Sequence, residues 1–279
     1  MNAGEGFFAP LGARRLQAER WRDGMAESTA ELVADEVPVA LVYNGISHAV
    51  MLASPADLED FAVGFSLGER IVGDARDIHD IEVEEGSHGI AIEMRIAAGA
   101  MMRLKETRRA RTGKTGCGLC GVESLAWFED DALAASVPPA QLRIAPQALQ
   151  RAMEAMGARQ ALHHATGAVH AAGWANRDGE LLCVREDIGR HNALDKLVGA
   201  LVREHVEVAE GFAVVTSRAS FEMVQKAARA GFPVLAAISA PTALAVRVAQ
   251  QAGLTLLGFV RGGRHVIYAH PQRLAPEPG

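Results

Sequence analysis

The chain is poor in cysteine. Among its 279 residues only three are cysteines, Cys117, Cys120 and Cys183. Small secreted domains that depend on disulfides carry a larger and even number of cysteines, so no disulfide framework is implied. A reducing compartment fits so few thiols better than an oxidising one.

The chain also lacks a long uninterrupted apolar run. Its most apolar stretch, FPVLAAISAPTALAV at 232–246, is interrupted by two prolines and by serine and threonine, whereas a membrane-spanning helix needs about 20 apolar residues. The twin arginine Arg14-Arg15 is followed by LQAERWRDG, which offers no apolar core for export. We therefore expect a cytoplasmic protein with no membrane partner.

Positive charge is also scarce overall. The net charge is −6 and the pI is about 5.9, which disfavours a general nucleic-acid binder. One segment departs from this balance, because residues 101–115 contain six basic residues against Glu106 alone, a local charge of +5 directly before the first cysteine. The basic residues are Arg103, Lys105, Arg108, Arg109, Arg111 and Lys114.

The first half of the chain predicts a smaller, β-rich α+β part. Residues 1–30 show no sustained period and are expected to form a weakly ordered lead-in. In residues 31–137, Asn44-Gly45 joins two apolar runs as a hairpin would, and IEVEE and IAIEMRI predict a second strand pair. A helix is expected from Pro55 with Ser54 as its N-cap. A mobile loop at about 105–121 would carry Cys117 and Cys120.

The second half predicts an α/β domain over residues 146–279. A Pro-rich stretch, 138–146, reads as the linker before it. After one hairpin, short apolar runs alternate with helical patterns up to TLLGFV at 255–260. Such alternation is typical of βαβ units and indicates a mostly parallel sheet.

Polar and glycine residues follow the strands of this predicted sheet. Ser217 and Ser239 lie between a strand and the next helix, and RGGR at 261–264 follows the last parallel strand. Ligands of open α/β sheets bind at the carboxyl ends of the strands, and helix N-termini there attract anions. Each residue alone is explained by an ordinary cap or turn, but together they favour a phosphate or pyrophosphate site.

The segment RTGKTGCGLCG, residues 111–121, offers several chemistries. A phosphate-binding loop would need glycine where Arg108 stands. A structural zinc site needs four ligands, and the third cysteine, Cys183, lies in an apolar strand pattern that indicates a small buried core residue. A zinc deaminase would have proline before the first cysteine, where this chain has Gly116. No structural or catalytic metal is therefore expected.

Two chemistries of the Cys-x-x-Cys pair stay open. Its spacing permits a thiol–disulfide oxidoreductase, although the pair does not open a thioredoxin-like unit. A sulfur carrier is favoured, because nearby cations stabilise the thiolate that attacks sulfur. Glycines at 113, 116, 118 and 121 let such a loop reach from a donor to an acceptor.

Several long motifs in order resemble the FdhD family, the formate dehydrogenase accessory sulfurtransferases. They are TGCGLCG, TGAVHAA, VREDIGRHNALDK, SRASFEMVQKAARAGFPVLAAISAPTALAV and GFVRGGR. The resemblance runs from the first hairpin to the C-terminus and is dense after residue 110. One departure is Ala168, where the family's T-G-G-x-H has a second glycine.

The resemblance implies a cytidine deaminase-like three-layer core and a function. A persulfide would pass from a cysteine desulfurase to Cys117, with Cys120 assisting, and then to the molybdenum cofactor in its bis-(molybdopterin guanine dinucleotide) form for formate dehydrogenase. The guanine-nucleotide-like ends of that cofactor would supply the phosphates, and a homodimer is the default assembly. The residues expected to bind the cofactor are Phe259, Val260, Arg261, Gly262, Gly263, Arg264, Ser217, Ser239 and His191.

Two alternatives accompany this reading. The first is a non-catalytic chaperone that binds and delivers the cofactor without carrying sulfur, and the second is the thiol–disulfide enzyme. His170, Asp187, Arg190 and Asp195 also stand in the shared motifs, and they either contact cofactor or cap and pair locally.

Overall fold

A computed structural model describes residues 9–110, 137 and 142–275 of the chain. Within these residues the strands form three sheets, of two, four and six strands. The mixed α/β class expected from the sequence is confirmed, as is the smaller N-terminal β part.

The first sheet is a β-hairpin where a weakly ordered lead-in was expected. Strand β1 (Ala13–Arg22) pairs with β2 (Met25–Ala34) without interruption along all ten residues. Its turn is Asp23-Gly24, with φ of 52° and 80°, the positive values that a two-residue hairpin turn requires. The expectation of a weakly ordered lead-in to residue 30 is therefore wrong from residue 13 onward, and this turn is the signal that would have revealed the hairpin.

The four-stranded sheet has the order β4-β3-β6-β5. Its strands are β3 (Val37–Tyr43), β4 (Ile46–Ala53), β5 (Ile78–Gly86) and β6 (Gly89–Ile96). Both predicted hairpins are present. Helices α1 (Leu58–Gly68) and α2 (Ala98–Ala110) share one hydrophobic cluster with it.

Two local predictions for this part are wrong. Helix α1 begins at Leu58, with Asp57 rather than Ser54 at its N-cap, because Ser54 is bonded instead to the second half of the chain. Residues 105–110, expected at the start of the cysteine loop, belong to α2. Cys117 and Cys120 lie outside the described residues.

The six-stranded sheet has the order β12-β11-β10-β9-β7-β8. Its strands are β7 (His170–Asn176), β8 (Leu181–Asp187), β9 (Gly211–Val215), β10 (Val234–Ala237), β11 (Thr255–Arg261) and β12 (Arg264–Ala269). Only β9, β10 and β11 pair in parallel, while the other three pairings are antiparallel. The mostly parallel sheet was therefore a wrong expectation: hairpins add antiparallel strands on both sides of a parallel centre.

Helices cover both faces of this sheet and make three layers. Helix α3 (Pro146–Arg159) packs on one face, where Phe212 and Val214 of β9 point. Helices α5 (Arg190–Arg203), α6 (Phe221–Arg229) and α7 (Ala243–Ala252) pack on the other face, where Ala213 and Val215 point. The short helix α4 (Ala161–Thr166) follows α3. Successive side chains alternate between faces, so each strand contributes to both cores.

The two halves of the chain meet where α1 packs against α5. Gly64 of α1 lies against Asp195, and a Cβ added at Gly64 would be 1.8 Å from the Asp195 carbonyl oxygen. Gly199 of α5 is equally close to α1, because its Cβ would be 1.9 Å from the Asp60 carbonyl oxygen. Two glycines therefore allow these helices to approach at backbone contact.

We expect Gly64→Ala or Gly199→Ala to destabilise the fold by on the order of 3 kcal/mol, because the added methyl group forces the helices apart. Urea unfolding measures this loss. Gly157→Ala is the matched control: it lies in α3 with nothing within 4 Å of its Cβ position, so it should be neutral or stabilising by up to about 1 kcal/mol. Equal effects of the three substitutions would contradict the close crossing.

Candidate functional site

The residues predicted to bind a ligand come together along one edge of the six-stranded sheet, which we call the polar edge. The parallel strands β9, β10 and β11 end there. Strand β7 runs antiparallel to β9 and therefore starts there, with its Ala171 N–H donating to Thr216 Oγ1 over 2.8 Å. Strand β8 ends at the same edge, and helices α5, α6 and α7 begin there.

Ser217 and Ser239 both lie on the polar edge, but neither is a helix cap. Ser217 is buried, and its Oγ donates to the Arg218 carbonyl over 3.0 Å. Ser239 is half-buried, and its carbonyl accepts from the Phe259 N–H over 3.2 Å. The caps of α6 and α7 are Ser220 and Thr242, so the simplest explanation of these serines as caps does not hold.

The segment 259–264 forms the end of a hairpin rather than a loop after the last strand. Gly262 and Gly263, with φ of 56° and 74°, make the two-residue turn between β11 and β12. A Cβ would meet nothing within 4 Å of either glycine. Arg261 and Arg264 face each other across this turn and are exposed, while Val260 is fully buried. The hairpin thus presents two guanidinium groups beside two glycines, while Gln150 of α3 accepts from the Gly263 N–H over 3.3 Å and donates to the Arg264 carbonyl over 3.2 Å.

Phe259 occupies a special backbone position in this hairpin. Its φ is 55°, a conformation that aromatic residues rarely adopt. It lies within a register shift between β11 and β12, where the strand bulges. At this bulge the backbone N–H of Phe259 donates to the carbonyl of Ser239, in the loop after β10. Local strain of this kind is often associated with binding sites.

His191 lies at the start of α5 and contacts Glu222 of α6. Its Nε2 is 2.7 Å from Glu222 Oε2, although the orientation does not meet hydrogen-bond geometry. The contact with His191 lowers the pKa of Glu222 against the opposing effect of burial, so the carboxylate is ionised at neutral pH. His170 is half-buried, and this burial lowers its pKa. The nearby Arg190 and His191 lower the pKa of His170 further.

Asp187 and Lys196 form a fully buried ion pair that connects the two halves of the chain. Their side chains are 2.7 Å apart, and both are inaccessible to solvent. The backbone of Ser54 completes the pair, since its N–H donates to Asp187 and its carbonyl accepts from Lys196. Gly189 and Asn192 also donate to Asp187. Asp187 therefore has a structural role, because its bonds to Gly189, Asn192 and Lys196 fix the first turns of α5.

Asp195 forms a second buried pair, with Lys226 of α6. The two side chains are 2.9 Å apart, and Lys226 also reaches Glu69, the C-cap residue of α1, at 3.0 Å. Burial raises the pKa of Asp195 to about 6, although Lys226 opposes the shift. Both aspartates of the shared motif thus pair locally rather than facing a ligand.

We expect Asp195 to make stability depend on pH between about 4 and about 6. An acid whose pKa is raised by folding binds more protons in the native than in the unfolded state over this range, so its contribution is present at the acidic end and is lost as the pH rises. Asp195→Asn should remove that slope. The measurement is urea unfolding of both proteins at several pH values, and parallel pH profiles would contradict the assignment.

Three residues of α6 were not predicted from the sequence: Glu222, Gln225 and Lys226. A signal was present, because His191 and Asp195 are four residues apart in α5, as are Glu222 and Lys226 in α6. Side chains with this spacing lie on one face of a helix. By contrast, the interpretation of Cys183 is confirmed: it is buried in the core, and burial raises the pKa of its thiol.

These features define an α/β sandwich with a polar, anion-suited edge, joined to a smaller β-rich part. Comparison with known proteins then identifies the family. Residues 34–275 match the model of the FdhD/NarQ family, and the chain belongs to that family. The resemblance drawn from the motifs is confirmed.

The relatives include proteins named sulfur carrier protein FdhD. The one from Cupriavidus necator is 56% identical over 92% of this chain and 88% of its own length. The one from Bordetella parapertussis is 53% identical over 93% of this chain and 94% of its own length. A crystal structure from Desulfotalea psychrophila, named for an accessory role to formate dehydrogenase, has a TM-score of 0.73 at 24% identity, covering 95% of this chain and all of that one. This last likeness confirms the fold.

The residue of the T-G-A-x-H motif that takes the left-handed conformation is Gly167, with φ of 68°, so the neighbouring Ala168 is accommodated without strain. Among the described residues, none of the helices has the length and hydropathy needed to cross a membrane.

Proposed function

We propose that this chain is a sulfur carrier that accepts persulfide sulfur from a cysteine desulfurase and transfers it to the molybdenum cofactor, in its bis-(molybdopterin guanine dinucleotide) form, for formate dehydrogenase. The observation that carries the proposal is the convergence of the predicted cofactor residues on one polar edge, in a family whose relatives are named as sulfur carriers. The cofactor is the acceptor substrate, and its molybdenum centre receives the sulfur.

The cysteine pair supplies the carrier. A persulfide forms when a thiolate attacks a sulfane sulfur, and an unperturbed thiol with a pKa of about 8.5 is mostly protonated near neutrality. The basic residues that precede Cys117 in the sequence favour its thiolate. Cys120 then assists by relaying or resolving sulfur. This activity makes the chain a sulfurtransferase.

The polar edge supplies the cofactor site. Phosphates carry negative charge and acceptor oxygens, and they bind guanidinium groups and free helix N–H groups. Exposed Arg261 and Arg264 provide the guanidinium groups, beside glycines that leave room for close approach of a ligand. The start of α5, which has no side-chain cap, provides the free helix N–H groups. Ser217 and Ser239 lie between these two ends and His191 lies at the α5 end, so the residues present fit a long phosphate-bearing ligand.

Cys117 is expected to gain one sulfur atom when the protein is incubated with a cysteine desulfurase and cysteine. Intact mass spectrometry measures the added atom. Cys117→Ala should abolish it and yield formate dehydrogenase without its terminal sulfur, while the fold is retained. Cys183→Ala is the control, because that thiol is buried.

The same variants separate the alternatives. Active formate dehydrogenase made in the presence of Cys117→Ala/Cys120→Ala protein would replace the carrier with a non-catalytic cofactor chaperone. Reduction or oxidation of substrate proteins by the pair, with no persulfide, would instead support a thiol–disulfide oxidoreductase.

Arg261→Ala and Arg264→Ala are expected to weaken binding of GDP, a probe for the guanine nucleotide end of the cofactor, by roughly tenfold each, since a hydrogen bond to a charged group contributes about 1.5–3 kcal/mol. Isothermal titration calorimetry measures the affinity. Arg177→Ala is the matched control, because Arg177 is exposed at the opposite edge of the sheet, in the turn between β7 and β8. An equal loss in the control would place the ligand elsewhere.

Further expectations belong to the same proposal. They are a cytidine deaminase-like relationship of the α/β domain, a homodimer, a cytoplasmic location and the domain limits at 31–137 and 146–279. The buried connections of Ser54 and Gly64 to α5 support two parts that are tightly joined.

A further inference from the structure

The β1–β2 hairpin, residues 13–34, is a ribbon that lies largely in solvent, and we call it the arm. Among the described elements it packs mainly on the short helix α4. Every residue of β1 after Ala13 is exposed, as are the first four residues of β2. Because successive residues of a strand alternate between faces, both faces of the arm are open. A two-stranded hairpin is marginally stable at best in water, so the arm needs a further surface to pack on.

One face of the arm combines apolar side chains with a basic one at the tip. Leu16 of β1 and Met25 and Val33 of β2 are exposed, and we call them the apolar row. Met25 pairs with Arg22 and Val33 pairs with Arg14. Both arginines are an even number of residues from Leu16, so the apolar row and Arg22 lie on the same face of the arm. Exposed apolar side chains gathered on one face are typical of an interaction surface.

The charges of the arm are divided between its strands. β1 contains four arginines against Glu19, whereas β2 contains Glu27 and Glu31 and no basic residue. Arg20 reaches both glutamates of β2, so the negative charge of β2 is met within the arm. Arg22, beside the turn, is exposed and makes the tip of this face positive.

The four-stranded sheet also has a face in solvent, which we call the outer face. Val39 and Leu41 of β3 point to the core shared with α1 and α2, so the alternate residues of each strand form the outer face. On β4 these include Val50 and Leu52, which are 62% and 53% exposed. On β5 and β6 the charged residues of this face are Asp80, Glu82, Glu84, Glu93 and Arg95. The outer face is therefore apolar along one edge and acidic along the other.

A depression of about 490 Å³ lies at the acidic edge of the outer face. Asp80, Glu82, Glu93 and Arg95 line it, together with the Asn44-Gly45 turn. Asp80 pairs with Arg95 at 3.5 Å, but Glu82 and Glu93 stand directly opposite each other on neighbouring strands. Like charges in that position destabilise a sheet, and a cation placed between them would remove this cost.

The arm and the outer face match in length. Arg22 and Leu16 are six residues apart in β1, which is about 20 Å along a strand. On the outer face, Glu82 at the depression and Leu52 at the apolar edge are three strand spacings apart and offset by four residues along the sheet. Standard strand dimensions make that diagonal about 20 Å as well. An Arg22 side chain in the depression therefore brings the apolar row of the arm to the apolar edge of the sheet.

We infer that the arm of one copy packs on the outer face of a second copy, with Arg22 in the acidic depression and the apolar row on the apolar edge. The chain carries both complementary surfaces, and its own arm packs on α4 instead. Two different surfaces that pair reciprocally close into a two-fold dimer. The inference gives a surface to the homodimer expected above and rests on that part of the proposed function.

The exchange of two arms buries enough area for a stable dimer. A contact of roughly 30 Å by 10 Å, the size of a two-stranded ribbon of nine residues, buries ~600 Å² when both surfaces are counted. Two such contacts bury ~1,200 Å², which reaches the range of about 1,200–2,000 Å² of stable interfaces.

Sedimentation equilibrium of the full chain measures this dimer, for which we expect a Kd of roughly micromolar order. Arg22→Glu and Glu82→Arg should each raise the dimer Kd at least roughly tenfold, because each substitution puts like charges at both symmetric contacts. Arg15→Glu is the matched control, since it makes the same charge change on the opposite face of β1. It should change the Kd less than about twofold. All three positions are exposed, so urea unfolding should show the fold retained.

Mixing the two weakened variants tests the exchange directly. In a mixed dimer of Arg22→Glu with Glu82→Arg, one contact has both charges reversed and the other is wild type, so the Kd should return close to the wild-type value. An arm that packs within its own chain would gain nothing from mixing. A monomeric wild type, a dimer that Arg22→Glu leaves intact, or a mixture that stays monomeric would each overturn the inference. The sulfur-carrier proposal is decided separately by the persulfide on Cys117.

Discussion

The close approach of α1 and α5 is the constraint on which the rest of the structure depends. Gly64 and Gly199 let two backbones touch, and this contact carries the buried pairs of Asp187 with Lys196 and of Asp195 with Lys226. Burying a charge is costly unless it is paired and hydrogen-bonded, and here Ser54 and Glu69 from the β-rich part complete both pairs. The α/β sandwich pairs its own core charges, and the smaller part supplies further hydrogen bonds and a further charge to both pairs. These contacts fix the start of α5, and with it one end of the polar edge.

The polar edge arises from topology rather than from any single motif. Parallel strands β9, β10 and β11 deliver their carboxyl ends to it, while the antiparallel neighbours β7 and β8 add the start of one strand and the end of another. Residues more than 70 positions apart in the chain, such as His191 and Arg264, thereby belong to one continuous edge. Its two ends differ in character. The hairpin end is exposed and carries two arginines, Arg261 and Arg264. The α5–α6 end holds buried side-chain nitrogen atoms that make no hydrogen bond, Arg190 Nε and Gln225 Nε2. A long ligand with a charged group at each end matches this division.

Local patterns in the sequence predicted most elements, and tertiary contacts account for most errors. The Asn44-Gly45 turn and the helical period of α5 depend only on neighbouring residues, so they could be predicted without knowledge of the fold. Ser54 looked like a helix cap, but its atoms bond to Asp187, 133 residues away. The antiparallel character of β7 and β12 depends on strand order, which periodicity does not encode. The ligand residues could be predicted because strand ends and glycine turns have local signatures. Glu222 was not predicted, because its contact with His191 appears only when α5 and α6 lie side by side.

The most direct test of the account maps where a phosphate-bearing nucleotide binds. Hydrogen exchange of the full chain, followed by mass spectrometry with and without saturating GDP, reports this segment by segment. The account predicts slower exchange at 188–192, 216–222, 239–243 and 258–264, with no change in the turn at 176–180 on the opposite edge of the sheet. Protection confined to other segments, or an unchanged exchange pattern along the polar edge, would contradict it.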